Sequence, residues 1–357
     1  MIDFLKIYKS KKVLITGHNG FKGSWLSLWL QKLGAKVYGI SLKNEDKNNH
    51  FNALNLDIEQ YHFNICDYQT LENKVLSINP DIIFHLAAQS LVRESFISPI
   101  ETWNTNVIGT ANLLEIVKKL NSVKGLILIS SDKCYKNKEW IWGYRENDEL
   151  GGHDPYSSSK AAMELLISSY RDSFYYKKNK SILASCRAGN VIGGGDWARD
   201  RLMPDIFNSI YKKTNLNIRY PEATRPWQHV LESLNGYLML GKKILEDKKH
   251  FGKAWNFGPN QDSNLSVLQL LKKIKSNIGY LNWEIANHKK EHESKLLFLD
   301  NSMAKKELLW KPVLDIEKTL EFTINWYKVY LEENKIISSE QIDEYINLAG
   351  DDKLVSL

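Results

Sequence analysis

The chain has little cysteine: Cys66, Cys134 and Cys186 are the three in 357 residues. They are too few and too scattered for a disulfide framework or a metal centre, so no metal is expected and a reducing compartment suits the chain. No apolar run approaches the roughly 20 residues of a membrane-spanning helix, and no charged-then-apolar leader precedes the first strand-like segment. The expectation is a cytoplasmic protein that makes no membrane contact. Internal repeats and low-complexity linkers are also missing. Charge of one sign is in modest excess, 48 Lys+Arg against 42 Asp+Glu for a net +6. Basic blocks such as Lys9-Ser10-Lys11-Lys12 and His288-Lys289-Lys290 are short, which argues against nucleic acid as a partner. A weak positive field still favours an anionic small molecule such as a nucleotide.

What is present begins with Lys12-Val13-Leu14-Ile15-Thr16, which reads as a buried strand. Gly17-His18-Asn19-Gly20-Phe21-Lys22-Gly23 follows, then a helical pattern carrying Trp25, Leu26, Leu28, Trp29, Leu30 and Leu33, and a second strand, Lys36-Val37-Tyr38-Gly39-Ile40. This is a strand–glycine turn–helix–strand unit of dinucleotide-binding length. Glycines at 17, 20 and 23 let the backbone turn tightly and approach a pyrophosphate at the helix N-terminus. After the second strand the acid that usually grips an adenosine ribose is missing, and the chain runs Ser41-Leu42-Lys43, with Glu45 and Asp46 later. NAD and NADP therefore stay open here: Lys43 either meets a 2′-phosphate or is a solvated loop lysine.

Asp67 stands before a helical pattern, where an N-cap is wanted. Asp81-Ile82-Ile83-Phe84-His85-Leu86-Ala87-Ala88-Gln89 reads as a strand running into small residues that let a flat cofactor approach, with His85 as a packed histidine. Leu126-Ile127-Leu128-Ile129 reads as the fifth strand, so Ser131, Asp132 and Lys133 emerge at its C-terminal end, in the crevice where open parallel sheets bind ligands. Trp140-Ile141-Trp142-Gly143-Tyr144-Arg145-Glu146 reads as a lid or substrate wall. Tyr156 and Lys160, four apart, share one face of a helix opened by Pro155. An ammonium close to a phenol lowers its pKa toward working pH. The fold class expected is α/β, a Rossmann-type doubly wound parallel sheet with a smaller C-terminal α/β domain. Residues 1–188 would form the cofactor half, with later segments returning to it, and 189–350 the substrate half.

The G-x-x-G-x-x-G spacing, the His-Leu-Ala-Ala loop, Asn106 and the Tyr156/Lys160 pair resemble the extended short-chain dehydrogenase/reductase superfamily. Residues 17–29 and 131–146, Arg187-Ala188-Gly189-Asn190-Val191-Ile192-Gly193-Gly194-Gly195-Asp196-Trp197, Arg225-Pro226-Trp227-Gln228-His229-Val230 and Trp255-Asn256-Phe257-Gly258-Pro259 are similar to the CDP-glucose 4,6-dehydratase family. Asp132-Lys133 is the most informative pair, because dTDP-glucose dehydratases carry Asp-Glu there and plain epimerases neither an acid nor a base. The family usually has Thr where Ser131 stands, so a hydroxyl is retained.

The resemblance implies NAD as cofactor, met by Gly17, Asn19, Gly20, Phe21, Lys22, Gly23, Asp67, Leu86, Ala87, Ala88, Asn106, Tyr156 and Lys160. It implies CDP-glucose or a related nucleotide sugar as substrate, met by Gln89, Arg93, Arg187, Asn190, Arg201, Arg225 and His292. Glu293 matches a substrate-side position, while Lys295 replaces a frequent His. Tyr156 would take the proton of the 4-hydroxyl, with Ser131 bonded to the same oxygen, as carbon 4 gives hydride to NAD. Lys133 would take the proton of carbon 5, for which burial, Lys160 or the cofactor's charge must depress its pKa, or would act electrostatically. Asp132 would protonate the departing 6-hydroxyl, and the hydride would return to carbon 6. Gly193-Gly194-Gly195 would lie against the diphosphate. A dehydratase for another nucleotide hexose, or a nucleotide-sugar 4-epimerase, is the alternative. A non-catalytic sensor on the same fold would typically lose the Tyr/Lys pair. A homodimer or homotetramer is implied.

Overall fold

Strands buried on both faces need near-continuous apolar sequence, and the chain has four such segments at the centre of one sheet. In a computed structural model, which describes residues 3–44, 46, 49–175, 181–285 and 296–355, these segments are β1 (Lys12–Thr16), β4 (Ile82–His85), β5 (Gly125–Ile129) and β6 (Ile182–Ala188). Flanking them are β2 (Lys36–Ser41), β3 (Glu59–His62) and β7 (Ala254–Phe257). The order is β7-β6-β5-β4-β1-β2-β3, and every neighbouring pair is parallel. The edge strand β3 is largely exposed, with Glu59 and His62 facing solvent. Polar, charged edges discourage pairing with a second sheet.

Side chains alternate across a strand, so each sheet face has its own core. Val13, Ile15, Phe84 and Ile127 pack with the helix Val230–Leu245 and the C-terminal helices. Leu14, Ile83, Leu126 and Leu128 pack with the helices Tyr68–Ile78, Gly109–Val117 and Pro155–Tyr170. Chain order reverses between β1 and β4, which opens a crevice at their C-terminal ends.

The second half is built from short strand pairs rather than another large sheet. Val191–Ile192 pairs with Gln228–His229, Thr224–Pro226 with Asn264–Ser266, and Leu216–Ile218 with Trp283–Ile285. The chain also returns to the main sheet, since Ala254–Phe257 pairs with β6. A buried carboxylate ties these parts together: Glu232 accepts from Val313 N (2.9 Å), Leu314 N (2.6 Å) and Tyr345 OH (2.9 Å). Ser266 and Gln269 form a reciprocal capping box that starts the helix Val267–Ile278. The helix Ile316–Glu333 begins where the apolar periodicity does, with Asp315 as its N-cap.

Candidate active site

The crevice is one cavity of about 1000 Å³ that runs from the glycine turn to the second half of the chain. Gly17, Asn19, Gly20, Phe21, Lys22 and Gly23 line it, with Leu86, Ala87 and Ala88 from the loop after β4. Two of the three turn glycines, Gly17 and Gly23, are sterically required. Gly17 has φ +75°, and a side-chain carbon there would lie 2.7 Å from Ala87 N. A carbon on Gly23 would lie 2.0 Å from the Gly17 carbonyl oxygen, whereas at Gly20 the nearest atom would be 3.5 Å away. Gly20 is the N-cap of the helix Phe21–Lys32 and has no side chain to cap it, so the first N–H groups of that helix suit an anion. This turn fits a dinucleotide pyrophosphate.

Ser131, Asp132, Lys133, Tyr156 and Lys160 all line the same cavity. Ser131 Oγ donates to Asp132 Oδ1 at 3.1 Å and accepts from Lys133 N at 3.2 Å. Asp132 is 2% exposed, and its Oδ2 has no hydrogen-bond partner. Burial raises its pKa above the usual carboxylate range, against the opposite pull of Lys133, Ser131, Arg225 and Lys22. A carboxyl so placed is biased toward its protonated form, the form that can donate to a leaving group. Asp154 caps the helix of Tyr156 by accepting from Ser157 N at 2.8 Å. Burial pushes the Tyr156 phenol up to about 12, with the Ser131 hydroxyl opposing. The expected lowering by Lys160 is not what the geometry gives. Lys160 Nζ turns to the Ile129 carbonyl at 3.2 Å, and its own pKa falls to about 8 through burial. Lys22, bonded to Tyr237 OH at 3.3 Å, is likewise lowered to about 8 by burial and then by Arg201.

Other expected residues support the site or stand outside it. Asn106 does not line the cavity; it bonds Gln89 N (2.9 Å), Gln89 O (3.0 Å) and Ser159 Oγ (2.8 Å), and so holds the loop after β4 against the helix of Tyr156. Asp67 is the N-cap of Tyr68–Ile78 and is absent from the cavity wall. Lys43 is exposed and also absent from that wall. His85 is a packed histidine between Thr16 (2.7 Å) and Thr110 (2.9 Å), its pKa lowered to about 3 by burial and then by Lys160.

Among the expected substrate residues, Arg93, Asn190, Arg201 and Arg225 line the cavity. Two do not. Gln89 spends its amide on Leu91 O (3.1 Å) and Thr102 Oγ1 (2.8 Å). Arg187 is sequestered at 4% side-chain exposure by Glu164 (2.9 Å), Tyr135 OH (2.7 Å) and Glu146 O (2.9 Å). His292, Glu293 and Lys295 lie outside the described residues.

Two expected segments are also corrected. Gly193 and Gly194 do not line the cavity, although Gly195 does. Their smallness answers to packing: a carbon on Gly194 would sit 1.9 Å from the Trp326 ring, and one on Gly195 2.4 Å from the His50 ring. The aromatic loop 140–146 does not line this cavity either. Its Tyr144 packs with Cys134, Tyr135, Leu297 and Leu299 in a separate small core, with Trp140 against it, while Ile141 and Trp142 are exposed. Conversely, Asp200, Asp205, Arg219 and Trp197 line the cavity without having been singled out. As isolated charges or a core-like Trp they carry no local motif.

The sequence model of GDP-mannose 4,6 dehydratase matches residues 14–323. The chain belongs to this dehydratase family. Among its relatives is the CDP-glucose 4,6-dehydratase of Salmonella typhimurium, 43% identical over 97% of this chain and 99% of the relative. Solved structures of similar fold include an epimerase from Methanothermobacter thermautotrophicus, with TM-score 0.82, 22% identity, and 93% of this chain and 96% of that chain covered. Another is dTDP-glucose 4,6-dehydratase from Bacillus anthracis in complex with NAD, with TM-score 0.76, 22% identity, and 91% and 98% covered. These distant structural likenesses bear on the dehydratase's Rossmann-type fold alone. The Salmonella relative bears on its chemistry.

Proposed function

We propose that this protein is a hydro-lyase, an NAD-dependent CDP-glucose 4,6-dehydratase that forms CDP-4-dehydro-6-deoxy-D-glucose and water. The observation that carries this reading is Asp132: a buried carboxyl with an unpartnered Oδ2 in one cavity with Tyr156, Lys160 and Lys133, in a chain 43% identical to a CDP-glucose 4,6-dehydratase. A redox pair alone serves many reactions, whereas loss of water also needs an acid at the leaving group.

NAD would be held by Gly17, Asn19, Gly20, Phe21, Lys22 and Gly23, by Leu86, Ala87 and Ala88, and by Tyr156 and Lys160. The chemistry it supplies when bound is a hydride sink for carbon 4 and a hydride source for carbon 6. Tyr156 takes the proton of the 4-hydroxyl, and Ser131 Oγ bonds the same oxygen. Lys160 Nζ faces the Ile129 carbonyl in this structure; with the cofactor bound it would turn to the phenolate and supply the cation that steadies it. The 4-ketone acidifies carbon 5; Lys133 either takes its proton as the free amine or steadies the resulting enolate as the ammonium. Asp132 gives its proton to the 6-hydroxyl, which leaves as water. Arg201 and Arg225, with Asn190 and Arg93, hold the diphosphate; planar guanidinium forks suit its oxygens. In this reading residues 1–188 with the returning β7 form the cofactor half, and the remainder of 189–350 the nucleotide-sugar half.

The protein would work as a homodimer or homotetramer. What supports this is a set of exposed apolar side chains outside the cavity wall on neighbouring helices: Ile100 (73% exposed), Ile108 (51%) and Leu165 (60%). Large apolar side chains grouped on the surface often mark an interface. Three unpaired cysteines suit a reducing cytoplasm. Among the described residues no helix is long and apolar enough to cross a membrane. The test is a panel of CDP-, dTDP-, UDP- and GDP-hexoses with NAD. Dehydration of CDP-glucose in preference to the others is expected, and turnover of another nucleotide sugar alone would refute the CDP assignment.

A further inference from the structure

Arg225 lies close enough to Asp132 to pull on its carboxyl, and Arg201 close enough to Tyr156 to act on its phenol. Those two arginines therefore stand next to the reacting sugar, where a sugar-linked diphosphate begins. Arg219 belongs to a different stretch of the wall. It follows the strand Leu216–Ile218, and Asp200 and Asp205 are its acidic neighbours. Leu216, Ile218 and Ala223 are buried there and Val267 half-buried, and all four line the cavity beside it. Apolar walls around one oriented cation do not suit a second phosphate; they suit a flat heterocycle with a polar edge.

We propose that Arg219, oriented by Asp200, reads the nucleobase of the substrate by donating two parallel hydrogen bonds to the O2 and N3 acceptors of cytosine. The proposal rests on the reading of the substrate as a CDP sugar. Asp200 Oδ1 accepts from Arg219 Nη1 at 3.3 Å and from Arg93 Nη1 at 3.0 Å. Among the described residues it is the one hydrogen-bonding partner of the Arg219 side chain. One guanidinium nitrogen is thereby committed, and the Nε/Nη2 edge is left as a two-donor fork. Cytosine presents two adjacent acceptors to such a fork. Uracil and thymine present an N3–H donor at the second position, which meets an arginine N–H head-on, so the fork discriminates among pyrimidines. Arg93 comes from the helix Val92–Ile97 and Arg219 from the second half, so one carboxylate fixes the base-reading arginine against the cofactor half of the molecule.

The experiment is calorimetric binding of CDP and UDP to the wild-type protein and to Arg219→Met, Arg219→Lys and Asp200→Asn. Alongside it run kcat/KM with CDP-glucose and UDP-glucose and a thermal melt of each variant. Wild type binds CDP more tightly than UDP. Arg219→Met lowers CDP affinity by about 10- to 100-fold, the value of one good bidentate contact to a base, and leaves UDP affinity nearly as it was. Arg219→Lys keeps the charge without the fork, and so also loses the CDP preference. Asp200 is a positioning residue: Asp200→Asn raises KM for CDP-glucose more than it lowers kcat, and in the Arg219→Met background it no longer changes the CDP-over-UDP preference, because its other partner, Arg93, meets the diphosphate common to both. Equal weakening of CDP and UDP by Arg219→Met, or retention of the CDP preference by Arg219→Lys, overturns the proposal. If wild type prefers CDP through Arg219 but does not dehydrate CDP-glucose, the dehydratase reading fails and the base contact stands.

Discussion

At the scale of single residues, the two charged groups that define the reaction are both costly to bury. Lys160 is 3% exposed, and its pKa falls from 10.5 to about 8, a penalty of at most about 3 kcal/mol. The folded protein releases this proton more readily than the unfolded chain, so the penalty is fully present below pH 8 and fades as pH rises toward 10.5. Lys160→Met should therefore abolish turnover yet raise stability in denaturant titrations at neutral pH, by up to about 3 kcal/mol. Its advantage over wild type should shrink above pH 8. Because the ammonium is the useful form, wild-type kcat should also decline as pH rises through about 8. Asp132→Asn removes the proton for the leaving group, and water loss followed by mass spectrometry should fall by about 10²- to 10⁴-fold. Sequence alone pointed to these residues because a strand end and an i, i+4 helix pair constrain where side chains emerge. It could not show that Arg187 turns inward to Glu164 while Arg219 reaches the cavity. Residue type says that a cation is present, and packing decides which way it faces.

At the scale of elements, the β1–turn–helix unit is legible because its glycines answer to local steric demands, such as the clash of a Gly17 side chain with Ala87. Gly193-Gly194-Gly195 is composed like a phosphate loop but is dictated by aromatic rings brought from elsewhere in the chain. Trp326 lies more than a hundred residues away, and no local pattern announces it. Gly194→Ala should accordingly act on stability, lowering it by about 1–3 kcal/mol through overpacking against Trp326. A thermal melt with NAD and CDP titrations separates this from a ligand contact, since a diphosphate-binding role would lower CDP affinity without lowering the melting temperature. The loop 140–146 departs from expectation for a related reason: its aromatics suggest a lid, yet Tyr144 is committed to a small core with Leu297 and Leu299.

At the scale of the whole molecule, a seven-stranded parallel sheet with its switch point between β1 and β4 sets the glycine turn after β1 and the end of β5 on either side of β4, at one edge of the sheet. The second half adds arginines to the same cavity. The proposed oligomer predicts that Ile100→Glu with Leu165→Glu, at two exposed apolar positions outside the cavity wall, shifts the protein to a monomer in sedimentation analysis; an unchanged sedimentation profile would contradict it. The central claim is that one cavity moves a hydride from carbon 4 to carbon 6 and expels water between the two transfers. The most direct measurement is mass and NMR analysis of the product formed from CDP-glucose deuterated at carbon 4. The dehydratase assignment predicts a product lighter by one water, with the deuterium on carbon 6 and no net reduction of NAD. A product with the substrate's mass, as a 4-epimerase would return, would contradict it.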